Sequence, residues 1–458
     1  MPVFAGDTII LGHYFRESLA IQDTAILNSK GQGEFSGKKS LPPGLYLVYL
    51  PNKSRFDLLI DKNQNFSIES DSTDLIRKTK ISGDNENILF YQYQKYIADQ
   101  KDIAIGLQQQ LLSSSSKMDS MEINNKLKGI NDGVFNYVSN LVELNKGTFF
   151  SKFLMSLKDI EVPDPPKDSN GNITDSTFQI RYYKAHYFDN FDIADVRLLR
   201  TPFYEKKLMY YLDNLLIPVP DTIIKEVDHL VEISRADTFL FKYMLTTLFN
   251  YYVNSKYLGM DAVYTYIAEK YYIPEASWSD RKFIDDLKKR VTKIKPLLIG
   301  KQAPDIQLVR VSDEHFLVAA EDTSLKKNPY VGVLFNLRDI PAEFLLLYFW
   351  EADCGHCKAT IPELYKVCEK LKPLGVQVVA LHMLSGIPGK EKWVDFVTSH
   401  NLYGWINAWN PYDFTYRDVY DINSSNILYL LDKNKKIIAK HITPDQAEKI
   451  IMDEIRKK

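Results

Sequence analysis

The chain has 458 residues, of which 45% are hydrophobic and 25% charged, a composition typical of globular proteins with several buried cores. Its 57 basic and 59 acidic side chains leave a formal charge of -2, which excludes a strong overall attraction to nucleic acid or to anionic membranes. The longest apolar runs, such as Phe344 to Trp350, are much shorter than the roughly 20 residues of a membrane-spanning helix. We therefore expect neither a nucleic-acid partner nor a membrane span in this chain.

The first part of the chain has the pattern of β-structure. Short apolar bursts at residues 8–11, 44–50 and 56–60 are separated by turn sequences rich in Pro, Gly, Asn and Asp. Residues 1–82 are therefore predicted to form an antiparallel β-sandwich domain. The start lacks the basic residues and long apolar stretch of a secretion signal, so the protein is either cytosolic or has lost its leader.

From about Asp84 the apolar spacing becomes that of helices and continues to about residue 295. A loop rich in Pro, Asn and Gly interrupts it at residues 162–172, and aromatic-rich segments follow at residues 239–252 and 262–272. Aromatic side chains at helical spacing are most often buried, so we interpret them as packed core rather than as a binding surface for glycans or peptides. Residues 83–295 are thus predicted to be a helical domain.

The last part, residues 296–458, is predicted to alternate strands and helices. Strands are expected at residues 306–311, 315–319, 345–350 and 376–384, followed by a hairpin of residues 427–431 and 436–441. Helices are expected at residues 355–371 and 391–400 and from residue 445 onward. The order is a β-α-β unit followed by a β-β-α unit, so the whole chain is predicted to be a multidomain α+β protein.

The sequence Cys354-Gly355-His356-Cys357 is the motif that carries chemistry. Because a strand runs into it and a helix begins at it, backbone N–H groups and the helix dipole are expected to stabilise a Cys354 thiolate. Cys354 is therefore the predicted nucleophile, and Cys357 is predicted to attack the resulting mixed disulfide and release the substrate. We expect His356 to stabilise the reduced form and make the couple more oxidising, while Asp353 opposes this effect.

Zinc binding is an alternative interpretation of the cysteine pair, with Cys368, His356, His382 or His441 completing the site. A second Cys-x-x-Cys is missing, and the other residues lack the paired spacing of zinc ligands, which disfavours it. An iron–sulfur site on the exposed pair is a related alternative. Cys368 itself is predicted to be a small buried side chain without a chemical role.

The motifs of this region resemble those of the TlpA/ResA-like extracytoplasmic thioredoxins, in particular the multidomain thiol–disulfide interchange proteins of Bacteroidetes. The resemblance rests on residues 300–305, on residues 345–350 ahead of the cysteine motif, and on residues 361–364. It implies a thioredoxin-like fold for residues 296–458 and a periplasmic or envelope location. It also implies protein thiols or disulfides as substrates, no cofactor or metal, and a redox partner in the membrane or envelope. Trp350, His356 and Asn426 are the residues expected to modulate the two cysteines.

Two positions depart from the pattern of that family. Asn426 stands where the family carries a cis-proline that faces the cysteines, so the bond between Ser425 and Asn426 is expected to be trans or strained. Thr360 stands where ResA-like members carry a buried glutamate that moves protons for the resolving cysteine, and the nearby Glu351 and Glu363 are expected to be solvated. These departures support a second function, a non-catalytic binding or scaffold protein with a degenerate thioredoxin domain.

Overall fold

A computed structural model describes residues 1–16, 18–114, 116–328, 331–411 and 413–457. The chain divides into two compact units, the first comprising residues 1–217 and 229–244 and the second residues 218–228 and 245–458. The division into three domains predicted from the sequence, residues 1–82, 83–295 and 296–458, stays a prediction. Within the described ranges, no helix has the length and apolar character required to cross a membrane.

The first unit begins with β-strands. They are β1 (Thr8–Phe15), β2 (Ser18–Ile26), β3 (Gly44–Tyr49), β4 (Arg55–Ile60), β5 (Ser67–Glu69) and β6 (Lys80–Ser82). The first four form an antiparallel sheet in the order β2-β1-β3-β4, and β5 pairs with β6 in a separate ribbon. The predicted strands at residues 8–11, 44–50 and 56–60 are confirmed. The β-sandwich stays a prediction, because the described strands form one four-stranded sheet and one two-stranded sheet.

Helices are the main elements of the chain from residue 85 to residue 253. They are α1 (Asn85–Ser113), α2 (Lys117–Leu144), α3 (Phe149–Ser156), α4 (Phe178–His186), α5 (Tyr204–Tyr210), α6 (Pro220–Ser234) and α7 (Thr238–Val253). Asp84 caps α1 by accepting the backbone N–H of Asn87 at 2.9 Å, which explains why the helical pattern begins there. The interpretation of the aromatic residues at 239–252 and 262–272 as core is confirmed for the buried Tyr243, Phe249 and Tyr271, whereas Phe239 is exposed.

Asn87 joins α1 to the edge strand β4 and generates a prediction about stability. Its fully buried side chain accepts the N–H of Leu59 at 2.8 Å and donates to the C=O of Leu59 at 2.7 Å. We expect Asn87→Ala to lower the free energy of unfolding by about 2–4 kcal/mol, because two buried backbone groups lose their partners. Chemical denaturation measures this loss. Asn124→Ala, on an exposed position of α2, is the control, and an equal effect in both variants would contradict the assignment.

The second unit is built around a seven-stranded sheet. Its strands are β7 (Gln307–Arg310), β8 (Val333–Asn336), β9 (Phe344–Trp350), β10 (Val376–His382), β11 (Ile406–Trp409), β12 (Ile427–Asp432) and β13 (Ile437–Lys440). The strand order is β13-β12-β9-β10-β11-β7-β8, with β9, β10 and β11 parallel and the other neighbours antiparallel. This is the thioredoxin-like part of a mixed α+β chain.

Helices cover this sheet and precede it in the chain. They are α8 (Asp261–Ile267), α9 (Ile273–Glu275), α10 (Arg281–Ile294), α11 (Asp313–Glu321), α12 (Thr323–Lys327), α13 (Gly355–Leu371), α14 (Gly386–Ser399), α15 (Thr415–Val419) and α16 (Pro444–Arg456). The hairpin and the other helices predicted after residue 296 are confirmed, although α14 begins five residues earlier than expected.

One predicted strand is wrong, because residues 315–319 lie in helix α11. Ser312 caps this helix by accepting the backbone N–H of His315 at 3.3 Å. Phe316 and Ala319, three residues apart, are both fully buried, as expected for one face of a helix. The apolar residues of this run therefore follow helical spacing rather than the alternation of a strand.

Strand β9 separates two hydrophobic cores. Tyr348 and Trp350 belong to the core that also contains Cys357 of α13, whereas Leu347 and Phe349 belong to the core on the other side. Successive side chains of a strand point to opposite faces of its sheet. The sequence of β9 thus places a tyrosine and a tryptophan on the face covered by the helix that carries the cysteine motif.

Candidate thiol site

Cys354 is the N-cap of α13, and its Sγ accepts the backbone N–H of Cys357 at 3.2 Å. Burial by itself would raise the pKa of this thiol. Hydrogen bonding from Cys357, from Ser425 and from the His356 backbone N–H outweighs burial, so the pKa of Cys354 lies below its usual value. The side chain is also partly exposed. An accessible thiol that readily ionises has the properties of a nucleophile.

Cys357 lies in the opposite environment. Its side chain is fully buried, and burial, followed by the neighbouring Cys354, raises the pKa of its thiol to about 11. Both cysteines are free, so the pair is in the dithiol form. The two environments therefore shift the thiols in opposite directions, Cys354 toward the thiolate and Cys357 toward the protonated form.

The loop that ends at Asn426 faces the cysteine pair and has an unusual backbone conformation at that residue. The bond before Asn426 is trans, as expected, and the described residues contain no cis peptide bond. Asn426 has a φ of 69°, a left-handed conformation that asparagine tolerates better than most residues. Its N–H donates to the C=O of Phe349 at 2.8 Å. A proline could adopt neither this φ nor this hydrogen bond.

A polar pocket of about 390 Å³ opens beside the motif. Its lining consists of the exposed His356, residues 423–426 of the loop, and Arg290, Asp421, Ile427 and His441. Arg290 of α10 forms an ion pair with Asp421 at the edge of this loop. The pocket therefore presents charged and hydroxyl groups beside the cysteine motif.

The charge next to the nucleophile is compensated. Lys392 donates to the carboxylate of Asp353 at 2.7 Å, and this hydrogen bond lowers the pKa of Asp353. The sequence alone predicted that Asp353 would oppose the stabilisation of a thiolate by His356. Because the Lys392 ammonium neutralises that carboxylate, its opposing effect is reduced.

The other residues singled out from the sequence lie around this centre. Trp350 is fully buried and packs edge-on against His382, with ring centroids 5.1 Å apart. Glu363 is exposed, as expected, whereas Glu351 is half-buried and lies 3.7 Å from Arg417. Glu351 is thus less solvated than predicted because it has a cationic partner.

Tyr348 is a member of the site that the sequence analysis missed. It is fully buried in β9, and its hydroxyl donates to Oδ1 of Asn426 at 2.7 Å. The Cys357 thiol and the Thr360 hydroxyl are further neighbours of this hydroxyl. The available signal was a polar hydroxyl inside the apolar run Leu345 to Trp350, two residues before its end.

The proposed zinc ligands are dispersed. Among the residues that the structure describes, no three His, Cys, Asp or Glu side chains are grouped so that they could hold a metal ion. Cys368 is buried, and burial raises the pKa of its thiol to about 12, which agrees with a small core side chain. His382 is enclosed by Trp350 and Trp393, and burial lowers its pKa to about 3.

The different environments of the two thiols lead to a prediction about alkylation. At pH 7, iodoacetamide should modify Cys354 before Cys357 and Cys368, because thiolates react and thiols do not. The rate at Cys354 should fall as the pH decreases through its lowered pKa, while Cys357 should react appreciably only near its raised pKa of about 11. Peptide mass mapping over a pH series measures all three rates. Equal rates at Cys354 and Cys357 near neutral pH would contradict the assignment.

Two parts of the chain match known protein families. Residues 299–441 match the AhpC/TSA family, and residues 144–293 match a domain of unknown function (DUF5106). The thiol-disulfide oxidoreductase ResA of Oceanobacillus iheyensis is 26% identical over 161 residues, which cover 34% of this chain and 72% of ResA. These matches confirm the resemblance drawn from the motifs.

Two crystal structures are also similar to this chain. One is a domain of a possible thiol-disulfide isomerase from Cytophaga hutchinsonii, with 30% identity, coverage of 35% of this chain and 96% of that domain, and a TM-score of 0.29. The other is a thioredoxin-like protein from Bacteroides caccae, with 21% identity, coverage of 65% of this chain and 99% of that protein, and a TM-score of 0.44.

Proposed function

We propose that this chain, whose residues 299–441 belong to the AhpC/TSA family, is a thiol–disulfide oxidoreductase that acts on protein disulfides or dithiols. The observation that carries the proposal is the contrast between an accessible Cys354 with a lowered thiol pKa and a fully buried Cys357 with a raised one. A nucleophile and a resolving thiol need these two environments.

In the reductive direction, the Cys354 thiolate attacks one sulfur of a substrate disulfide. A bond forms between Cys354 and that sulfur, the substrate S–S bond breaks, and the other substrate sulfur leaves as a thiolate with the electron pair. Cys357 then loses its proton and attacks Sγ of Cys354. The Cys354–Cys357 disulfide forms, the second substrate sulfur leaves as a thiolate, and solvent protons complete both substrate thiols. Two electrons have passed from the protein to the substrate, and oxidation of a substrate dithiol is the reverse sequence.

The pocket beside the motif is where the substrate chain would approach. His356 lies at the edge of the pocket and would stabilise the Cys354 thiolate, and Asn426 also lines the pocket. Trp350 is buried in the core that contains Cys357 and would hold the motif in position by packing. The similarity to ResA and the family motifs favour a periplasmic or envelope location, with a redox partner in the membrane or envelope that regenerates the active form.

Insulin reduction with dithiothreitol as electron donor tests this function. We expect the wild-type protein to accelerate the precipitation of insulin and Cys354→Ser to abolish the acceleration. In a separate incubation with insulin and without dithiothreitol, Cys357→Ser should accumulate a mixed disulfide detectable by mass spectrometry. Cys368→Ala is the matched control, because its thiol is buried in the core, and it should retain activity. Wild-type protein without activity, or Cys354→Ser with full activity, would refute the proposal.

A further inference from the structure

A buried tyrosine hydroxyl lies beside the resolving thiol and has no part in the reaction described above. Tyr348 is fully buried, and its hydroxyl has the thiol of Cys357 as a neighbour on one side. On another side it donates to Oδ1 of Asn426 at 2.7 Å. Asn426 is itself held in place by the 2.8 Å hydrogen bond from its N–H to the C=O of Phe349, in the same strand as Tyr348.

The chemistry of these groups determines which way the tyrosine proton points. An amide oxygen accepts hydrogen bonds and cannot donate them, and a tyrosine hydroxyl has a single proton. Because that proton is used in the bond to Asn426, the hydroxyl can present only its lone pairs to Cys357. Lone pairs stabilise an S–H group, which can donate to them, and destabilise a thiolate, which cannot.

We propose that Asn426 is a positioning residue that directs the Tyr348 hydroxyl proton away from Cys357, so that the resolving cysteine remains a thiol until the mixed disulfide has formed. The titratable groups that face Cys357 are Cys354, at the start of the same helix, and Tyr348, from β9. The hydroxyl of Ser425 faces both thiols. Burial already disfavours a Cys357 thiolate, and the orientation of Tyr348 adds to that effect.

The inference rests on the proposed function and concerns its second step. A resolving cysteine that ionises reluctantly prolongs the life of the mixed disulfide between Cys354 and the substrate. Removing the side-chain acceptor of Asn426 frees the Tyr348 hydroxyl to donate to a Cys357 thiolate. This favours the thiolate and accelerates resolution.

Asn426→Gly is the variant that isolates the side chain. Glycine readily adopts the observed φ of 69° and keeps the backbone N–H that donates to Phe349, so only the amide acceptor is lost. Tyr348→Phe removes the hydroxyl, and the double variant completes a double-mutant cycle. If Asn426 acts through Tyr348, its effect disappears when the hydroxyl is absent.

The experiment mixes reduced full-length protein, in excess, with an aromatic disulfide reagent whose thiolate absorbs visible light. The first thiolate is released when Cys354 forms the mixed disulfide, and the second when Cys357 resolves it. For Asn426→Gly we expect the pH profile of the second release to shift down by about one unit, with the second release of each variant compared with its own first release. At pH 7 the second release should be about threefold faster, since the tenfold gain in thiolate is partly offset by the lower nucleophilicity of a less basic thiolate.

In the Tyr348→Phe background, Asn426→Gly should leave the second release unchanged. An equal acceleration in that background would overturn the inference, because Asn426 would then act through the loop rather than through the hydroxyl. An unchanged second release in the single Asn426→Gly variant would also overturn it. Failure of the proposed function is distinguishable, since it would appear as an absence of insulin reduction by the wild-type protein.

Discussion

The hydrogen bond from the Cys357 backbone N–H to Sγ of Cys354 is the interaction on which the site depends. It makes a thiol the N-cap of α13, a role that serine, threonine, aspartate and asparagine usually fill with an oxygen. The helix supplies unpaired N–H groups and the positive end of its dipole to that sulfur. The same turn of helix directs Cys357 into the core, so one local structure gives the two thiols opposite tendencies to ionise.

Strand β9 and the loop before β12 complete the environment of that helix start. β9 lies next to both β10 and β12 in the sheet and is fully buried along its length, which fixes the position from which α13 begins. Asn426 is attached to β9 by two hydrogen bonds, one from its own N–H and one from Tyr348 to its side chain. Since a proline has neither group, this loop is held by interactions that the proline implied by the family resemblance could not make.

Much of the C-terminal fold could be predicted from sequence because its signals are local. The buried run of β9, the cysteine motif at a helix start and the hairpin around Asp432 each depend on a few consecutive residues. The strand predicted at residues 315–319 was wrong because a short apolar run is compatible with the spacing of a strand and with that of a helix. The N-cap hydrogen bond to Ser312 stabilises the helix here.

Tyr348, the site residue that the sequence analysis missed, is connected with the site only through tertiary structure. Residues 348 and 426 are 78 positions apart in the chain, and their pairing depends on the register between β9 and β12. A tyrosine within an apolar strand is consistent with ordinary core packing, so no sequence pattern connects it with the cysteines. Likewise, the ion pair that compensates Asp353 comes from α14, whose lysine is 39 residues further along the chain.

The most direct test of the account is the reduction potential of the Cys354–Cys357 pair, measured by equilibrating the protein in glutathione redox buffers and quantifying dithiol and disulfide forms after acid trapping. We predict one reversible two-electron transition that is absent from Cys354→Ser and unchanged in Cys368→Ala. A pair that does not equilibrate with glutathione, or that forms mixed disulfides without closing its own, would contradict the assignment of Cys357 as the resolving thiol.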